Sequence, residues 1–146
     1  MDSPALNTAR TYFNVKIISP DGEVAAAMVY MLSASTLDGE IALLKNHVPL
    51  VTSLQPGLVT FYCAENEKVL YFIAGGFLEM TDHCSILVEE AILVNDMDAP
   101  TLEKGLELLA QKYHESTTDA QKNALKSDRQ ILQAKLDLVN RLVLKK

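Results

Sequence analysis

The sequence has no tryptophan, two cysteines and three histidines, and phenylalanine and tyrosine supply only 6% of its 146 residues. Each shortage removes a class of function. Cys63 and Cys84 stand 21 positions apart with no CxxC, so there is neither a disulfide framework nor a zinc ribbon. They read as small buried hydrophobes of a reducing compartment. His47, His83 and His114 are widely separated and lack the HxxxH or HExxH spacing of a zinc site. No GxSxG nucleophile elbow is present. Gly75-Gly76 is followed by neither GK[ST] nor a GxGxxG pattern, so it does not cradle a phosphate; a bulge or close approach at a sheet corner suits it better. Glu89 and Glu90 are adjacent on a strand and point to opposite faces, so they do not form a carboxylate pair. These gaps exclude the common catalytic and metal-bound sites, and no cofactor is expected.

Long apolar runs are also missing. No stretch approaches the ~18 residues of a membrane span. The opening MDSPALNTARTYFN has no apolar h-region and reads as neither a secretory signal nor an organelle transit peptide. Positive charge is scarce: the net charge is −6, which argues against nucleic acid or anionic lipid as partner. The charge is uneven. Residues 1–96 hold four Lys or Arg and twelve Asp or Glu, and residues 97–146 hold nine and seven. An acidic first part and a mildly basic second part point to two units with different neighbours.

What is present supports the same division. Phe13, Val15 and Ile17 alternate with Asn14, Lys16 and Ile18, the period of a strand. Ser19-Pro20-Asp21-Gly22 follows as a turn. Glu23–Leu32 is a second run, with Val24, Ala26, Met28, Tyr30 and Leu32 on one face and a second face that is also apolar, so both faces are expected to be covered. Gln55-Pro56-Gly57 reads as a turn, and Glu65-Asn66-Glu67-Lys68 as another. Strands are expected from Leu58, Val69, Phe77 and Ser85 onward. Short strands at this spacing make a β-sandwich or barrel.

After Asp96 the period changes. Leu102, Leu106, Leu109 and Tyr113 form one helical stripe, with Asp98 as N-cap and Pro100 in the first turn. Thr118 and Gln121 form a capping box for a second helix. That helix carries Leu125, Leu132, Leu136, Val139 and Val143 on a stripe flanked by Ile131, Leu138 and Leu142. The expected fold is a β-sandwich over residues 1–96, ordered from about residue 12, then an antiparallel two-helix hairpin over 97–146. Such a hairpin buries little by itself and needs a surface to lean on. Its basic residues Lys122, Lys126, Arg129 and Lys135 are either a solvated face or a stripe for an acidic partner; the first three share a side.

The segment DGEIALLKNHVPLVTSLQPGLV, with Asp38-Gly39-Glu40, His47, Pro49-Leu50, Thr52 and Pro56-Gly57, resembles the corresponding stretch of the epsilon subunits of F-type ATP synthases. Ala74-Gly75-Gly76-Phe77 with Glu79, the turn Ile18–Gly22, and Asp96-Met97-Asp98 extend the resemblance over roughly residues 12–145. It implies a ten-stranded β-sandwich followed by a two-helix hairpin. It also implies a non-catalytic rotor subunit of the central stalk, clamping gamma and resting on the polar loops of the c ring. On the family pattern, Asp38, Gly39 and Glu40 meet the c ring, and Asn46, His47 and Pro49 lie by gamma. Lys122, Lys126, Arg129 and Lys135 can meet acidic beta-subunit segments, with the alpha and beta subunits as partners when the hairpin inhibits ATP hydrolysis. His47 is then a packing and hydrogen-bonding residue. Lys45-Asn46 replaces the family's Pro-Gly, and Asn46 can supply the same left-handed turn. The helix start Met97–Leu102 lacks the arginine of ATP-binding members, so no ATP sensing is expected of it. The implied location is the cytoplasmic face of a bacterial inner membrane, as a peripheral protein. The competing reading is a free-standing ligand-binding sandwich with a helical lid, which requires a pocket of converging polar groups.

Overall fold

The computed structural model describes residues 11–64 and 67–144, with side chains described as far as 142. The chain divides into two compact units, Met1–Leu93 and Val94–Lys146.

The first unit is a β-sandwich. Its strands are β1 (Phe13–Ser19), β2 (Gly22–Val29), β3 (Met31–Thr36), β4 (Gly39–Leu43), β5 (Leu50–Tyr62), β6 (Lys68–Ile73), β7 (Gly76–Met80), β8 (Cys84–Val88) and β9 (Ala91–Leu93). One layer runs β2-β1-β8-β7 and ends on the first half of β5. The other contains β4, β3, the second half of β5, β6 and β9. The pair β1–β8 is parallel, whereas its neighbours β1–β2 and β7–β8 are antiparallel.

Two expectations are corrected here. Gln55-Pro56-Gly57 does not end a strand; it bends β5, which pairs with β7 from Leu50 to Leu54 and with β6 from Gly57 to Tyr62. Because β5 serves both layers, nine strands form among the described residues where the resemblance implied ten. The second correction concerns Glu23–Leu32. Tyr30 divides this run into β2 and β3, and its N–H donates to the Tyr62 carbonyl. Inward-facing positions therefore change parity. Val29 and Leu32 are both fully buried, while Val24 and Met28 are exposed. Alternation holds only within a strand, so reading across Tyr30 placed the wrong residues inside.

Elsewhere the pleat follows the pattern. Phe13, Val15 and Ile17 enter the core while Asn14 and Lys16 face solvent. They pack in one cluster with Val59, Phe61, Leu78 and Ile86. Phe61 and Tyr71 add a tilted ring pair at 5.4 Å. Gly76 has φ +153°, and a Cβ there would be driven into the Leu87 carbonyl, so the position demands glycine. The expected turn at 65–68 falls partly outside the described residues; on its rims, the Cys63 N–H donates to the Glu67 carbonyl at 2.8 Å.

The second unit opens with a 3-10 turn at Val94–Asp96, then α1 (Ala99–Glu115) and α2 (Asp119–Leu144). Asp98 caps α1: its carboxylate accepts from the Thr101 N–H at 3.1 Å and from the Thr101 hydroxyl at 2.6 Å. These bonds favour the charged carboxylate and hold it below its usual range. The Gln121 N–H donates to Thr118 Oγ1, and the Gln121 side chain accepts from the Thr117 N–H. The capping box is present, with its return bond one residue early. Leu102 is buried, and Leu106, Leu109 and Tyr113 are half-buried. On α2, Leu136 and Leu138 are buried, and Leu125, Ile131, Leu132, Val139 and Leu142 are half-buried. The Val143 side chain lies outside the described residues. At Gly105 a Cβ would lie 3.2 Å from Leu132 Cδ1, so a missing side chain lets the two helices approach closely.

Candidate functional site

The β3–β4 turn is built by one hydroxyl. Thr36 Oγ1 accepts from the Asp38 N–H at 3.1 Å and donates to the Gly39 carbonyl at 2.7 Å. Gly39 takes φ +121°. This leaves Asp38, Gly39 and Glu40 exposed at the tip, beside Leu37 at 69% exposure. The β1–β2 turn repeats the device: Ser19 Oγ accepts from the Asp21 N–H and donates to the Gly22 carbonyl, with Gly22 at φ +124°. Both turns lie at the same end of the sandwich. The register proves it: Thr36 pairs with Leu54, Leu54 with Gly76, and Gly76 with Val88, while β1 runs parallel to β8. That end also carries exposed Glu89 and Glu90, so its rim is acidic.

The opposite end holds the loop between β4 and β5. Asn46 sits at φ +73°, the left-handed conformation expected of it, and the His47 N–H donates to the Leu44 carbonyl at 3.1 Å. His47 Nδ1 lies 2.7 Å from the Val48 carbonyl. A carbonyl only accepts, so Nδ1 carries a proton in this contact. Among the described residues no acid orients this imidazole as it would a catalytic base. Pro49 is exposed, as are Leu44 at 55% and Val48 at 70%.

An apolar surface that sequence reading missed runs from this loop, at Val51, toward the opposite end of the sandwich. Val51 on β5, Phe77 on β7, Leu87 on β8, and Val24 and Met28 on β2 are between 40% and 70% exposed. All project from the outer side of the β2-β1-β8-β7-β5 layer. Phe77 stands beside Leu87, and Val51 beside Glu79, in the strand register. Isolated exposed apolar residues are ordinary; several on one sheet face mark an interaction site. Strand alternation could have flagged Val51, Phe77 and Leu87, since each is flanked by residues that point inward.

On the second unit, Lys122 Nζ lies 5.6 Å from the centre of the Tyr113 ring, a cation–π distance. Lys126 and Arg129 are exposed. Lys135 is buried, at 8% exposure, and at 100° per residue it falls roughly 140° around the helix from Lys122. The structure therefore brings together three of the four basic residues and separates the fourth.

Cys84 is buried, and loss of solvent pushes its thiol up to about 12. Cys63 is half-buried and is raised by burial and by Glu67. Neither forms a disulfide, and neither is an activated nucleophile. Among the described residues no cluster of three metal-ligating side chains occurs, and no helix is long and apolar enough to cross a membrane.

Residues 12–94 match the family model for the ATP synthase delta/epsilon chain, beta-sandwich domain. Among curated proteins, the ATP synthase epsilon chain of Rhodospirillum centenum is 32% identical over 134 residues, covering 85% of this chain and 89% of that one. The epsilon chain of Agrobacterium fabrum is 30% identical over 118 residues, covering 76% and 87%. Among solved structures, a chain of the Euglena gracilis mitochondrial ATP synthase OSCP/F1/c-ring assembly superposes with TM-score 0.70 at 24% identity, covering 84% of this chain and 78% of that one. A chain of the Tetrahymena thermophila mitochondrial ATP synthase central stalk/c-ring gives 0.62 at 19%, covering 89% and 98%. At these identities the superpositions establish a shared fold.

Proposed function

The chain belongs to the epsilon-chain family of F-type ATP synthases, and from that membership we propose that it is a rotor subunit of the central stalk linking gamma to the c ring. Its work is binding, and the catalysis of the complex lies in other subunits. The observation that carries this reading is the exposed apolar outer face of one sandwich layer, which adjoins the exposed Leu44 and Val48 of the β4–β5 loop through Val51.

On this reading gamma covers Val51, Phe77 and Leu87, and the loop of Asn46, His47 and Pro49 borders the contact. A torque-bearing interface should bury about 1,000 Å² or more; one loop is too small for that, and a sheet face is not. The Asp38-Gly39-Glu40 turn, at the acidic end, meets the polar loops of the c ring. The hydroxyl-braced turn suits this role because it holds two carboxylates at a fixed tip. Lys122, Lys126 and Arg129 form the basic side of the hairpin that meets acidic segments of the beta subunit, with alpha beside it, and slows ATP hydrolysis. Lys135 falls outside that stripe. The subunit sits peripherally on the membrane-bound complex, on the cytoplasmic face of a bacterial inner membrane.

The double variant Val51→Asp with Phe77→Asp tests the gamma contact. Both side chains are solvent-exposed, so the fold should melt as the parent does while affinity for gamma falls at least tenfold. Unchanged affinity would return the ligand-binding alternative to consideration.

A further inference from the structure

The outer face of the β2-β1-β8-β7-β5 layer carries a single charged side chain on β5, β7 and β8, that of Glu79. Glu79 follows Phe77 by two residues on β7, and Leu78 and Met80 are fully buried. Alternation therefore turns Phe77 and Glu79 to the same, outward side. In the register Glu79 stands between Val51 of β5 and Ser85 of β8, within the apolar patch. Beyond Ser85 the next residue across is Lys16 of β1, two strand spacings or about 10 Å from Glu79. Lys16 is turned elsewhere: its Nζ lies 3.7 Å from Glu23 Oε1. Among the described residues, no ion pair or hydrogen bond engages the Glu79 carboxylate.

In the free chain this carboxylate is exposed and hydrated. A partner laid over Val51 and Phe77 strips that water, and a carboxylate buried without counter-charge is strongly destabilising. The Ser85 hydroxyl can donate one hydrogen bond, which does not neutralise the charge. From this arrangement we infer that the partner's surface is apolar with one basic side chain, arginine or lysine, set to meet Glu79. The inference rests on the assignment of this face to gamma and adds the chemistry that the gamma surface must present. Apolar contact supplies area but little orientation, whereas a charge pair inside the contact fixes its register and rejects surfaces lacking the cation. An arginine there would place its planar fork on both carboxylate oxygens.

The test is the binding kinetics of the full chain on a catalytic core that contains gamma and lacks this subunit. Glu79→Gln should melt as the parent does, because its side chain holds nothing in the free chain. It should bind about tenfold more weakly or worse, through faster dissociation. Glu79→Asp, which keeps the charge with a shorter reach, should lose less. Lys16→Gln combined with Glu79→Gln should show additive effects, as expected when the cation comes from the partner and not from Lys16. Unchanged or tighter binding by Glu79→Gln, beside a loss for Val51→Asp with Phe77→Asp, would overturn the inference and leave the gamma contact standing. A loss confined to the association rate would overturn it too, since the charge would then only steer the encounter. So would strong coupling between Lys16 and Glu79. If the Val51 and Phe77 variant also binds as the parent does, the gamma assignment itself fails and this inference falls with it.

Discussion

The sandwich and the hairpin bury their apolar residues to very different degrees. In the sandwich, Val15, Ile17, Leu32, Val59, Leu78 and Ile86 reach 0% exposure. In the hairpin, the most enclosed apolar side chains among the described residues are Leu138 at 4% and Leu102 and Leu136 at 8%, and most of both leucine stripes is only half-buried. A fully enclosed core gives one rigid arrangement. A pair of helices with half-buried seams is closer to balance with other arrangements. Under the proposed rotor role, the contrast fits a division of labour: a stiff block to transmit force, and a second part able to change its neighbours at modest cost.

Core truncation should give the largest separation between the two parts. Phe61→Ala, deep in the sandwich, should cost about 3–5 kcal/mol. Leu106→Ala, on the half-buried stripe of α1, should cost about 1–2 kcal/mol by area alone. Urea unfolding of both variants checks this, and equal losses would break the comparison. A smaller effect of opposite sign is expected at Gly105. Alanine there gains up to about 1 kcal/mol of helix propensity, while its Cβ at 3.2 Å from Leu132 Cδ1 asks only the end of a flexible side chain to yield. Gly105→Ala should therefore raise the thermal stability of the hairpin; a fall would mean that the helices cannot give way. The smallest effect concerns the cap. The Asp98 carboxyl is held below its usual range by Thr101, so its contribution is complete above the ordinary carboxylate pKa of about 4 and disappears as pH falls through the lower native value. The melting difference between the parent and Asp98→Asn should accordingly shrink between about pH 6 and pH 3. A difference constant with pH would mean the cap does not need its charge.

Much of this architecture was legible in the residues. The change from a period of two to a period near 3.6 after Asp96 lies three residues beyond the division between the two units at Leu93 and Val94. The caps at Asp98 and Thr118 were readable because capping chemistry is local. What failed was long-range. Nothing local to Gln55-Pro56-Gly57 says that the chain continues as a strand on a new partner; β7 and β6 decide that. The inward face of Glu23–Leu32 was lost because Tyr30 interrupts the alternation. The candidate surfaces divide the same way. The resemblance singled out the Asp38-Gly39-Glu40 segment, and the tolerance of asparagine for left-handed φ supplied the turn at Asn46. Alternation could flag Val51, Phe77 and Leu87 one by one, but not as a single face, because that face is assembled from three strands whose adjacency is fixed by pairing. Lys135 shows the limit of composition: its charge resembles that of Lys126, and its position on the helix does not.

The account rests on binding by the sandwich and regulation by the hairpin. The most direct measurement is ATP hydrolysis by a catalytic core lacking this subunit, with either the full chain or residues 1–96 added back and binding verified for each. The account predicts that both bind and that only the full chain slows hydrolysis. Failure of residues 1–96 to bind, or equal slowing by both, would contradict it.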